Sequence, residues 1–458
     1  MRPFLKKNLR NVEPLQVKNL LAYYKEGCKK PEDVAIGMEV EKHGIFQANN
    51  KPITYFGANG LLKIQEKMIE ELGWKISKQE ENYLLRLKRC GSFLTLETAQ
   101  SMSELSGRTH QSIHSLAREL DIHQHEFSVI SKIFGVLWLG IGIQPFASND
   151  VIKLLETPRY KMLRNYLKSQ GGLWQEELKK TASVQANIDF VSEIDACKKF
   201  QTLLRLSPFL GAMYAHSPLN KGKLSGYVSY RMHVLNNNDP KRFGIRKFFF
   251  ENDFSLKDWV NFCLDIQMIA VKRGGKMLNI NAITFRQFIE KGYKDFYPTI
   301  EDWVMHTSMI YSFVRIKRYI ELRICDSVPS FLIPSIQAIV KAFVYHPDGG
   351  RILKDITKKW SFTDFSDSYE AIAKNGMDAV VCGNKILSYC KEILNVATDN
   401  LRSFKIFNER KFDESVYLIP IKDFVFVKEK SPGAHVAELW QTEWAENPER
   451  LVEWCRHD

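Results

Sequence analysis

The segment TASVQANIDF, residues 181–190, alternates polar and apolar side chains without interruption. Side chains of a strand point alternately to its two faces, so the segment predicts a β-strand with one apolar face. The polar face carries short hydroxyl and amide groups, whereas Lys and Glu are typical of a face that meets bulk water. We therefore expect this polar face to line a binding site. Its members are Thr181, Ser183, Gln185, Asn187 and Asp189.

Four further segments alternate in the same way: AIGMEVEKHGIF (35–46), SFLTLE (92–97), GYVSYRMHV (226–234) and VRIKRYIELRI (314–324). Parallel strands that are buried on both faces lose such alternation, so the five segments predict a largely antiparallel sheet. Helices are expected on its apolar face, which makes the predicted fold α+β. Apolar spacing indicates two of these helices, over Leu61–Leu72 and over residues 112–130.

The chain has 458 residues and a formal net charge of +12. Its basic residues are scattered in twos and threes, which is typical of a solvated surface rather than of a nucleic-acid-binding face. The charged start of the sequence has no apolar run of signal-peptide length, and the longest apolar run, FGVLWLGIGI (134–143), is too short to span a membrane, so we expect a cytosolic protein without membrane contact. Eight irregularly spaced cysteines indicate reduced thiols, and only Cys325 falls in a candidate site strand.

No internal repeat, low-complexity segment or Pro/Gly-rich linker divides the sequence. We therefore expect a single domain over residues 1–458, with the active-site sheet within about 34–326. In residues 330–458 helical and strand signals mix, and they favour no particular element.

Four histidines in and before the second predicted helix raise the alternative of a zinc site. Only His123 falls on the apolar face of this helix, and the others point away from it. Four zinc ligands do not converge from this spacing. We interpret His123 as a core residue and the other three, His110, His114 and His125, as its surface neighbours.

Glu39 and Glu41 project side by side from one predicted strand, where a cation between them would relieve their repulsion. Mg²⁺ prefers oxygen ligands, so the pair predicts a magnesium site. An exposed edge strand with two solvated acids is the alternative.

A basic row in VRIKRYIELRI, predicted as one strand, favours the magnesium interpretation. Guanidinium and ammonium groups suit phosphate, and acids for a metal beside bases for phosphate are typical of nucleotide-dependent phosphoryl transfer. The chain has no GxxxxGK[ST] loop, no complete dinucleotide-binding glycine motif and no GxSxG or HExxH signature, which disfavours those mechanisms. The row consists of Arg315, Lys317 and Arg323.

Several long blocks of the sequence resemble the plant and proteobacterial type of glutamate–cysteine ligase. They are TASVQANIDFVSEIDACKKFQTLLRLSPFLGAMYAHSPLNKGKLSGYVSYRMHVLNN from residue 181, ENDFSLKDWVNFCLDIQM, INAITFRQFI and IEDWVMHTSMIYSFVRIKRYIELR, in order and with similar spacing. Upstream, GMEVEKHGIF resembles the first active-site strand of the family, and GIGIQPFAS with PRYKMLRNYL resembles its next block. The resemblance covers roughly residues 36–345, and the last hundred residues match weakly.

The resemblance implies one catalytic ligase domain built on a curved antiparallel sheet, a funnel backed by helices as in glutamine synthetase. It implies that ATP phosphorylates the γ-carboxylate of L-glutamate and that the amine of L-cysteine then displaces the phosphate, giving γ-glutamylcysteine for glutathione synthesis. The expected partners are these small molecules and Mg²⁺, without nucleic acid, whose phosphates the acidic set would repel. We expect a monomer or a homodimer. A ligase that joins glutamate to a different amine is the alternative.

The resemblance also implies roles for the residues of the polar face. Arg323 would stabilise the transferring phosphoryl group, and Arg231 would bind the α-carboxylate of glutamate or a phosphate. The nucleotide would contact Gln185, Asn187, Lys317 and Arg315, and the magnesium ligands would be Glu39, Glu41, Glu104 and Glu321.

One segment departs from the family pattern. A PGGQFELSG-like turn and strand is usual, whereas this chain reads LETAQSMSELSG over residues 96–107, without both glycines and with one residue more. A shift by one residue moves a side chain to the opposite face of a strand. Either Glu97 or Glu104 is therefore the metal ligand, and the identity of the amine acceptor stays open.

Overall fold

The computed structural model describes residues 15–457 and has a large sheet at its centre; the charged residues 1–14 and residue 458 lie outside the described part. In chain order the strands are β1 (Ile36–Phe46), β2 (Lys75–Glu80), β3 (Tyr83–Arg89), β4 (Ser92–Leu96), β5 (Met102–Ser106), β6 (Val136–Leu139), β7 (Val184–Ile188), β8 (Leu219–Asn220), β9 (Lys223–Leu224), β10 (Phe243–Gly244), β11 (Ala270–Arg273), β12 (Lys276–Asn279), β13 (Tyr311–Ser312), β14 (Val314–Ile316), β15 (Ile320–Leu322), β16 (Val380–Val381) and β17 (Asn384–Lys385).

Helices cover most of the remaining chain, and none in residues 15–457 combines the length and apolar character needed to cross a membrane. They are α1 (Val17–Lys25), α2 (Leu61–Leu72), α3 (Ile113–Ile133), α4 (Pro158–Gln170), α5 (Trp174–Lys180), α6 (Glu193–Met213), α7 (Tyr230–Asn236), α8 (Leu256–Asp265), α9 (Phe285–Lys291), α10 (Ile300–Thr307), α11 (Ile333–Val344), α12 (Gly349–Ile356), α13 (Phe362–Asn375), α14 (Ile386–Ser403), α15 (Ile419–Lys422), α16 (Pro432–Gln441) and α17 (Pro448–Cys455).

The strands of the large sheet lie in the order β14-β15-β7-β1-β5-β4-β3-β2, and β6 pairs with the second half of β1. Every pairing between these strands is antiparallel. Helix α11 packs on β7 and β1, and α6 packs on β14 and β15. The predicted α+β fold, an antiparallel sheet backed by helices, is confirmed.

Strand β7 lies in the interior of the sheet and is shorter than the predicted strand over residues 181–190. Thr181 and Ser183 extend it only as isolated bridges to other segments. Its apolar side chains belong to the main hydrophobic core, which lies between the sheet and the helices. Because both neighbouring strands are paired to it, the polar side chain of Gln185 is also buried.

The segment VRIKRYIELRI is not the single strand that its alternation predicts. It folds into the hairpin β14–β15, whose turn is closed by the N–H of Lys317 donating to the carbonyl of Tyr319 at 2.7 Å. Residues directly opposite each other in an antiparallel pair share a face, and Arg315 lies opposite Glu321. The polar row therefore stays on one side of the sheet through cross-strand pairing.

The prediction of a strand over GYVSYRMHV is wrong, because the segment forms helix α7. The hydroxyl of Ser229 accepts a hydrogen bond from the N–H of Met232 at 3.1 Å and caps the helix, a position that short polar residues favour. Residues four apart share a helix face, and Arg231 and Leu235 accordingly face the same cavity. Arg231 thus reaches the predicted site from a helix.

The described part of the region for which the sequence favours no element, residues 330–457, is mostly helical. All of α11 is buried against the sheet. The end of the described chain returns to β6, where the N–H of His457 donates to the carbonyl of Trp138 at 2.8 Å. This packing supports one domain, which stays a prediction.

Gly140 marks the place where the terminal segment pairs with the end of β6 through main-chain hydrogen bonds. A Cβ atom at Gly140 would lie 2.0 Å from Nε2 of His457 and 2.3 Å from the carbonyl oxygen of Val328. No side chain fits in this space, so Gly140, the first residue of the GIGIQPFAS block, has a packing role.

The two helices predicted from apolar spacing are confirmed as α2 and α3. His123 is buried on α3, and its Nε2 lies 2.9 Å from Nζ of Lys42. The interpretation of His110 as a surface residue is wrong, because His110 is also buried and pairs with Glu119 at 2.5 Å. The histidines therefore contact different partners, with His123 in the core as predicted.

A buried ion pair joins α11 to the beginning of α3. Nζ of Lys341 lies 2.7 Å from Oε2 of Glu414, and Oε1 of Glu414 accepts the N–H of Ile113 at 2.6 Å. Both charged side chains are almost inaccessible to solvent. The pair links three distant parts of the chain behind the sheet.

Lys341→Met is expected to lower the free energy of unfolding by about 3 kcal/mol, because it leaves a buried carboxylate without its charged partner. Urea titration followed by circular dichroism would measure the change. Lys385→Met is a matched control, since Lys385 pairs with Asp378 on the surface and its loss should barely alter stability. Equal stability of Lys341→Met and the unmodified protein would contradict the prediction.

Candidate active site

A cavity of about 480 Å³ lies on the polar side of the sheet. Strands β1, β5, β7 and β15 contribute to its lining, together with β2–β4 and the helices α4, α5 and α7. Of the ten site residues assigned from the sequence, Asn187 is beside the cavity wall and the others line it. These nine are Glu39, Glu41, Glu104, Gln185, Arg231, Arg315, Lys317, Glu321 and Arg323.

Three carboxylates, which we call the carboxylate trio, meet inside this cavity. Oxygen atoms of Glu41, Glu97 and Glu104 all lie within 4.8 Å of one another. Glu41 is directly opposite Glu104 in the β1–β5 pair, and Glu97 follows β4, which pairs with β5 on its other side. Burial and then the neighbouring carboxylates raise the pKa of Glu104 to about 8 and the pKa of Glu97 well above its usual range.

Both glutamates that the sequence offered as alternatives reach the cavity. Thr95 lies opposite Glu104, and Glu97 is two residues beyond Thr95, so the three side chains share a face. The connection over residues 97–101 accommodates the extra residue of this segment without turning β5 over. In the part of the chain that the structure describes, the trio is the one group of three acidic, His or Cys side chains with this close spacing.

The polar face of β7 holds Glu41 in place. The N–H and hydroxyl of Ser183 donate to Oε2 of Glu41 at 2.6 and 3.0 Å, and the amide of Gln185 donates to Oε1 at 3.1 Å. Arg323 in turn donates to the amide oxygen of Gln185 at 2.6 Å. The short uncharged groups of TASVQANIDF therefore orient an acid without adding charge to the cavity.

A second pair of acids, Glu39 and Glu321, flanks β7. The amide of Asn187 donates to Glu39 at 2.9 Å, and Asn187 lies opposite Glu321 in the β7–β15 pair. Glu321 accepts a hydrogen bond from Nε of Arg315 at 2.6 Å and another from the ammonium group of Lys317. Nη1 of Arg315 also donates to two main-chain carbonyls, so Nε and Nη1 of this guanidinium hold Glu321 and the main chain in place.

The surrounding charges give these groups different protonation behaviour. Burial disfavours the ionised form of Glu321, but Arg315 and Lys317 outweigh burial and hold its pKa well below the usual range. Burial of Glu39 and the charge on Glu321 raise the pKa of Glu39. Burial disfavours the charged form of Arg323, but the carboxylates, Glu321 foremost, raise its pKa. The ion-paired group of Glu321, Arg315 and Lys317 thus adjoins acids with raised pKa values, such as Glu39, whose ionised form a bound cation would stabilise.

Arg231 faces the cavity, but the main chain holds its guanidinium. Nη1 donates to the carbonyl of Ile324 and Nη2 to that of Arg323, each at 3.0 Å. Its buried Nε has no hydrogen-bond partner among residues 15–457. Arg231 therefore supports the segment that presents Arg323, and its predicted contact with a substrate stays a prediction.

Five further charged residues line the cavity, and the sequence analysis assigned none of them to the site. Lys78 and Glu80 are on β2, Arg86 lies opposite Lys78 on β3, Arg159 is in the first turn of α4, and Glu177 is on α5. The alternation of YLLRLKR marks β3 as a strand and could have pointed to Arg86. Nothing in the sequence distinguishes Glu177 from the preceding Glu176.

Cys325, the cysteine singled out from the sequence, follows β15 and is fully buried. Burial raises the pKa of its thiol far above the usual range, so the thiol is not poised for reaction. It does not contribute to the cavity lining. The eight cysteines all lie in the described part and are free thiols.

The carboxylate trio offers a donor set that suits a divalent cation. Its ligand atoms are all oxygens, which hard cations such as Mg²⁺ prefer, and a bound positive charge would relieve the repulsion between the acids. Oδ1 of Asn187, beside the cavity wall, is a further buried oxygen without a hydrogen-bond partner in residues 15–457. The residues present therefore fit an oxygen-coordinated cation.

The model of the glutamate-cysteine ligase family 2 matches residues 35–453 of this chain. The chain belongs to this family. Glutamate–cysteine ligase B, chloroplastic, of Oryza sativa subsp. japonica is 30% identical over 436 residues, 94% of this chain and 85% of that protein. Glutamate–cysteine ligase, chloroplastic, of Arabidopsis thaliana is 28% identical over 445 residues, 96% and 83% of the two chains.

Two solved structures resemble the fold. The crystal structure of glutamate–cysteine ligase from Francisella tularensis in complex with AMP matches with a TM-score of 0.51 at 15% identity, covering 93% of this chain and 88% of that one. A bifunctional glutathione synthetase from Pasteurella multocida matches with a TM-score of 0.50 at 12% identity, covering 97% and 53%. At these identities the likeness supports the fold alone.

The extent of the family match is larger than the sequence resemblance indicated. Recognisable blocks end near residue 345, whereas the family model continues to residue 453. The later helices pack behind the sheet, where apolar residues can replace one another as long as their pattern and total volume are kept. Their weak sequence signal is therefore compatible with membership in the glutamate–cysteine ligase family.

The predicted cytosolic location is wrong in the light of these relatives. The rice and Arabidopsis members of the glutamate–cysteine ligase family are named chloroplastic. The prediction rested on the lack of an apolar leader, but transit peptides of organelles are amphipathic rather than apolar. The observation on which it rested therefore does not assign a cytosolic location.

Arg231→Lys is expected to lower the free energy of unfolding by about 2 kcal/mol, because one ammonium group cannot span the carbonyls of Arg323 and Ile324. Calorimetric or urea-induced unfolding would measure the change. Arg86→Lys is the control, since Arg86 lines the same cavity with its guanidinium over the ring of Phe93. Unchanged stability of Arg231→Lys would contradict the supporting role and favour a guanidinium that is free to bind substrate.

Proposed function

We propose that this chain is an ATP-dependent glutamate–cysteine ligase. The observation that carries the proposal is a carboxylate trio beside a cluster of cations in one cavity, in a chain of the glutamate–cysteine ligase family. Such a site combines ligands for metal-bound phosphates with charges that stabilise a transferred phosphoryl group. The reaction joins the γ-carboxylate of L-glutamate to the amine of L-cysteine through γ-glutamyl phosphate. Its products are γ-glutamylcysteine, ADP and phosphate, which makes it the first step of glutathione synthesis.

The carboxylate trio would hold Mg²⁺, and Glu39 with Glu321 would contribute a second group of oxygen ligands. When bound, Mg²⁺ neutralises the phosphate charge of ATP and so makes its terminal phosphoryl group easier to transfer. Ser183 and Gln185 keep Glu41 oriented for this task by three hydrogen bonds. The proposed ligand set therefore contains all four acids expected from the sequence, with Glu97 added.

The cations of the cavity have separate tasks in this proposal. Arg323 stabilises the transferring phosphoryl group, and its hydrogen bond to Gln185 fixes it in advance, so little reorganisation is needed at the moment of transfer. Lys317, which is partly exposed, contacts the nucleotide phosphates together with the amides of Gln185 and Asn187. Arg315 acts indirectly, because its hydrogen bonds already hold Glu321 and the main chain.

A ligase that joins glutamate to a different amine is the second candidate. The segment that departs from the family pattern, residues 96–107, carries Glu97 and Glu104 into the cavity. One part of the cavity wall therefore differs from the usual pattern, and the acceptor is the substrate most open to change. A monomer or a homodimer stays the expectation for the assembly.

ADP release by the purified protein would test the proposal. The assay contains Mg-ATP and L-glutamate, with and without each of a panel of amino acids and amines. Stimulation by L-cysteine, with γ-glutamylcysteine detected by mass, is the expected result. Stimulation by another amine alone would support the second candidate, and no stimulation by any amine would contradict both.

Glu321→Gln is expected to lower kcat at least about tenfold, the loss that even a supporting contact to a metal site produces. The substitution keeps the volume but removes the charge that balances Arg315 and Lys317. Initial rates of cysteine-dependent ADP release, with circular dichroism as a check of folding, would measure the effect. Glu80→Gln is the control, because Glu80 lines the same cavity outside the proposed ligand set. Near-normal activity of Glu321→Gln would remove Glu321 from the ligand set.

Glu97→Gln and Glu104→Gln are each expected to weaken binding of Mn²⁺, a spectroscopic probe for Mg²⁺, by more than about tenfold. Each variant removes one charge from the carboxylate trio. Electron paramagnetic resonance of free Mn²⁺, titrated without nucleotide, would measure the affinity, again with Glu80→Gln for comparison. Weakening in only one of the two variants would leave a single ligand in this segment.

A further inference from the structure

Glu177 is a cavity-lining carboxylate that has no task in the phosphoryl transfer proposed above. It lies on α5 and is not part of the carboxylate trio. Its Oε2 is buried and has no hydrogen-bond partner among residues 15–457. A buried carboxylate oxygen without a partner is costly, so this part of the wall suits a hydrogen-bond donor that arrives from outside.

The cations that act on Glu177 are engaged elsewhere. Arg323 donates to an amide side chain and lies 3.6 Å from Glu321, and Arg231 donates to main-chain carbonyls. Neither forms an ion pair with Glu177 within the described residues. Burial therefore prevails over the attraction of Arg323, and together with the charge on Glu41 it raises the pKa of Glu177 to about 8.

We propose that Glu177 binds the ammonium group of the acceptor amine and removes the proton that blocks its attack. The proposal rests on the ligase function proposed above. A protonated amine has no lone pair with which to attack the carbonyl carbon of γ-glutamyl phosphate. Glu177 lies outside the proposed ligand set, forms no ion pair among the described residues and has a buried oxygen without a hydrogen-bond partner, so it is available to an arriving ammonium ion.

The step balances as follows. One N–H proton passes from the ammonium group to the Glu177 carboxylate, and the freed lone pair forms the N–C bond. The bond between the carbonyl carbon and the phosphate oxygen breaks, and its electron pair leaves with phosphate. The second N–H proton passes to the departing phosphate, and Glu177 releases its proton to water before the next turnover.

The surroundings of Glu177 favour this exchange. Leu178 and Leu235 line the same cavity and reduce the hydration of charges there, so an ammonium ion and a carboxylate attract each other strongly. The charged and titratable groups that act on Glu177 are Arg323, Arg231, Glu41 and Tyr311, on four other elements. A carboxyl group whose pKa lies near neutral pH can accept a proton and release it within one turnover.

A comparison of two nucleophiles, one charged and one neutral, distinguishes proton removal by Glu177 from a role in phosphoryl transfer or folding. L-cysteine is an ammonium ion at neutral pH and needs a base, whereas hydroxylamine is uncharged and attacks acyl phosphates directly. Glu177→Gln is assayed with Mg-ATP and L-glutamate, measuring γ-glutamylcysteine with the first and γ-glutamyl hydroxamate with the second. Glu176→Gln is the matched control, because Glu176 binds the amide of Asn149 at 2.8 Å and does not line the cavity.

In Glu177→Gln the cysteine-dependent kcat is expected to fall about a hundredfold, as for loss of a general base, while hydroxamate formation keeps the wild-type rate. Glu176→Gln should match the wild type with both nucleophiles. An equal loss with both would overturn the proposal, because Glu177 would then serve phosphoryl transfer or folding. Unchanged turnover with cysteine would also overturn it.

Assays of the wild-type protein distinguish failure of the role proposed for Glu177 from failure of the proposed ligase function. Failure of the wild type to form hydroxamate from glutamate would overturn the ligase function, because no acyl phosphate is then made. If the wild type forms hydroxamate but rejects cysteine, the comparison is made with the amino acid that stimulates ADP release. The same selective loss is expected there, and its absence would overturn the role of Glu177.

Discussion

The constraint on which the structure depends is the gathering of like charges on one face of an antiparallel sheet. Register alone brings Glu41 opposite Glu104 and places Glu97 on the same face, so their repulsion cannot be relieved by moving one side chain away. What offsets it is the other face of the same strands, where two hydrophobic cores join the sheet to helices such as α11 and α2. A less rigid support would let the acids separate.

Charge is distributed unevenly across this face. The hairpin β14–β15 carries its own counter-charges, because Arg315 and Lys317 bind Glu321 within one turn of chain. Strand β7, between the hairpin and β1, carries amides instead, and the hydroxyl of Ser183 directly precedes it. Gln185 links both sides, since it donates to Glu41 and accepts from Arg323. A neutral strand thus separates an ion-paired region from an acidic region that is ready for a cation.

Alternation in the sequence was a reliable guide where one face of a strand is buried and the other lines the cavity, as in β1 and β7. It failed at GYVSYRMHV, because a helix of seven residues is too short for a period of 2 to differ visibly from 3.6, and only the cap at Ser229 marks the difference. The alternation in VRIKRYIELRI also did not reveal the hairpin turn at Lys317. Residues opposite each other in a hairpin share a face, so the polar residues of the two strands keep the alternating pattern of a single strand. Glu177 could not be found at all, since its place in the cavity depends on how α5 packs and not on any local pattern.

The contacts around β7 also differ greatly in the length of chain that they close. Arg315 and Glu321 are 6 residues apart, whereas Asn187 and Glu39 are 148 residues apart. Closing a longer loop costs more conformational entropy, and non-local strand pairing slows folding. The cation-rich hairpin can therefore form early from its own residues, while the acids come together only when β1 joins β7 and β5. We therefore expect positive charge to be in place on the hairpin before the acidic half of the sheet is added to it.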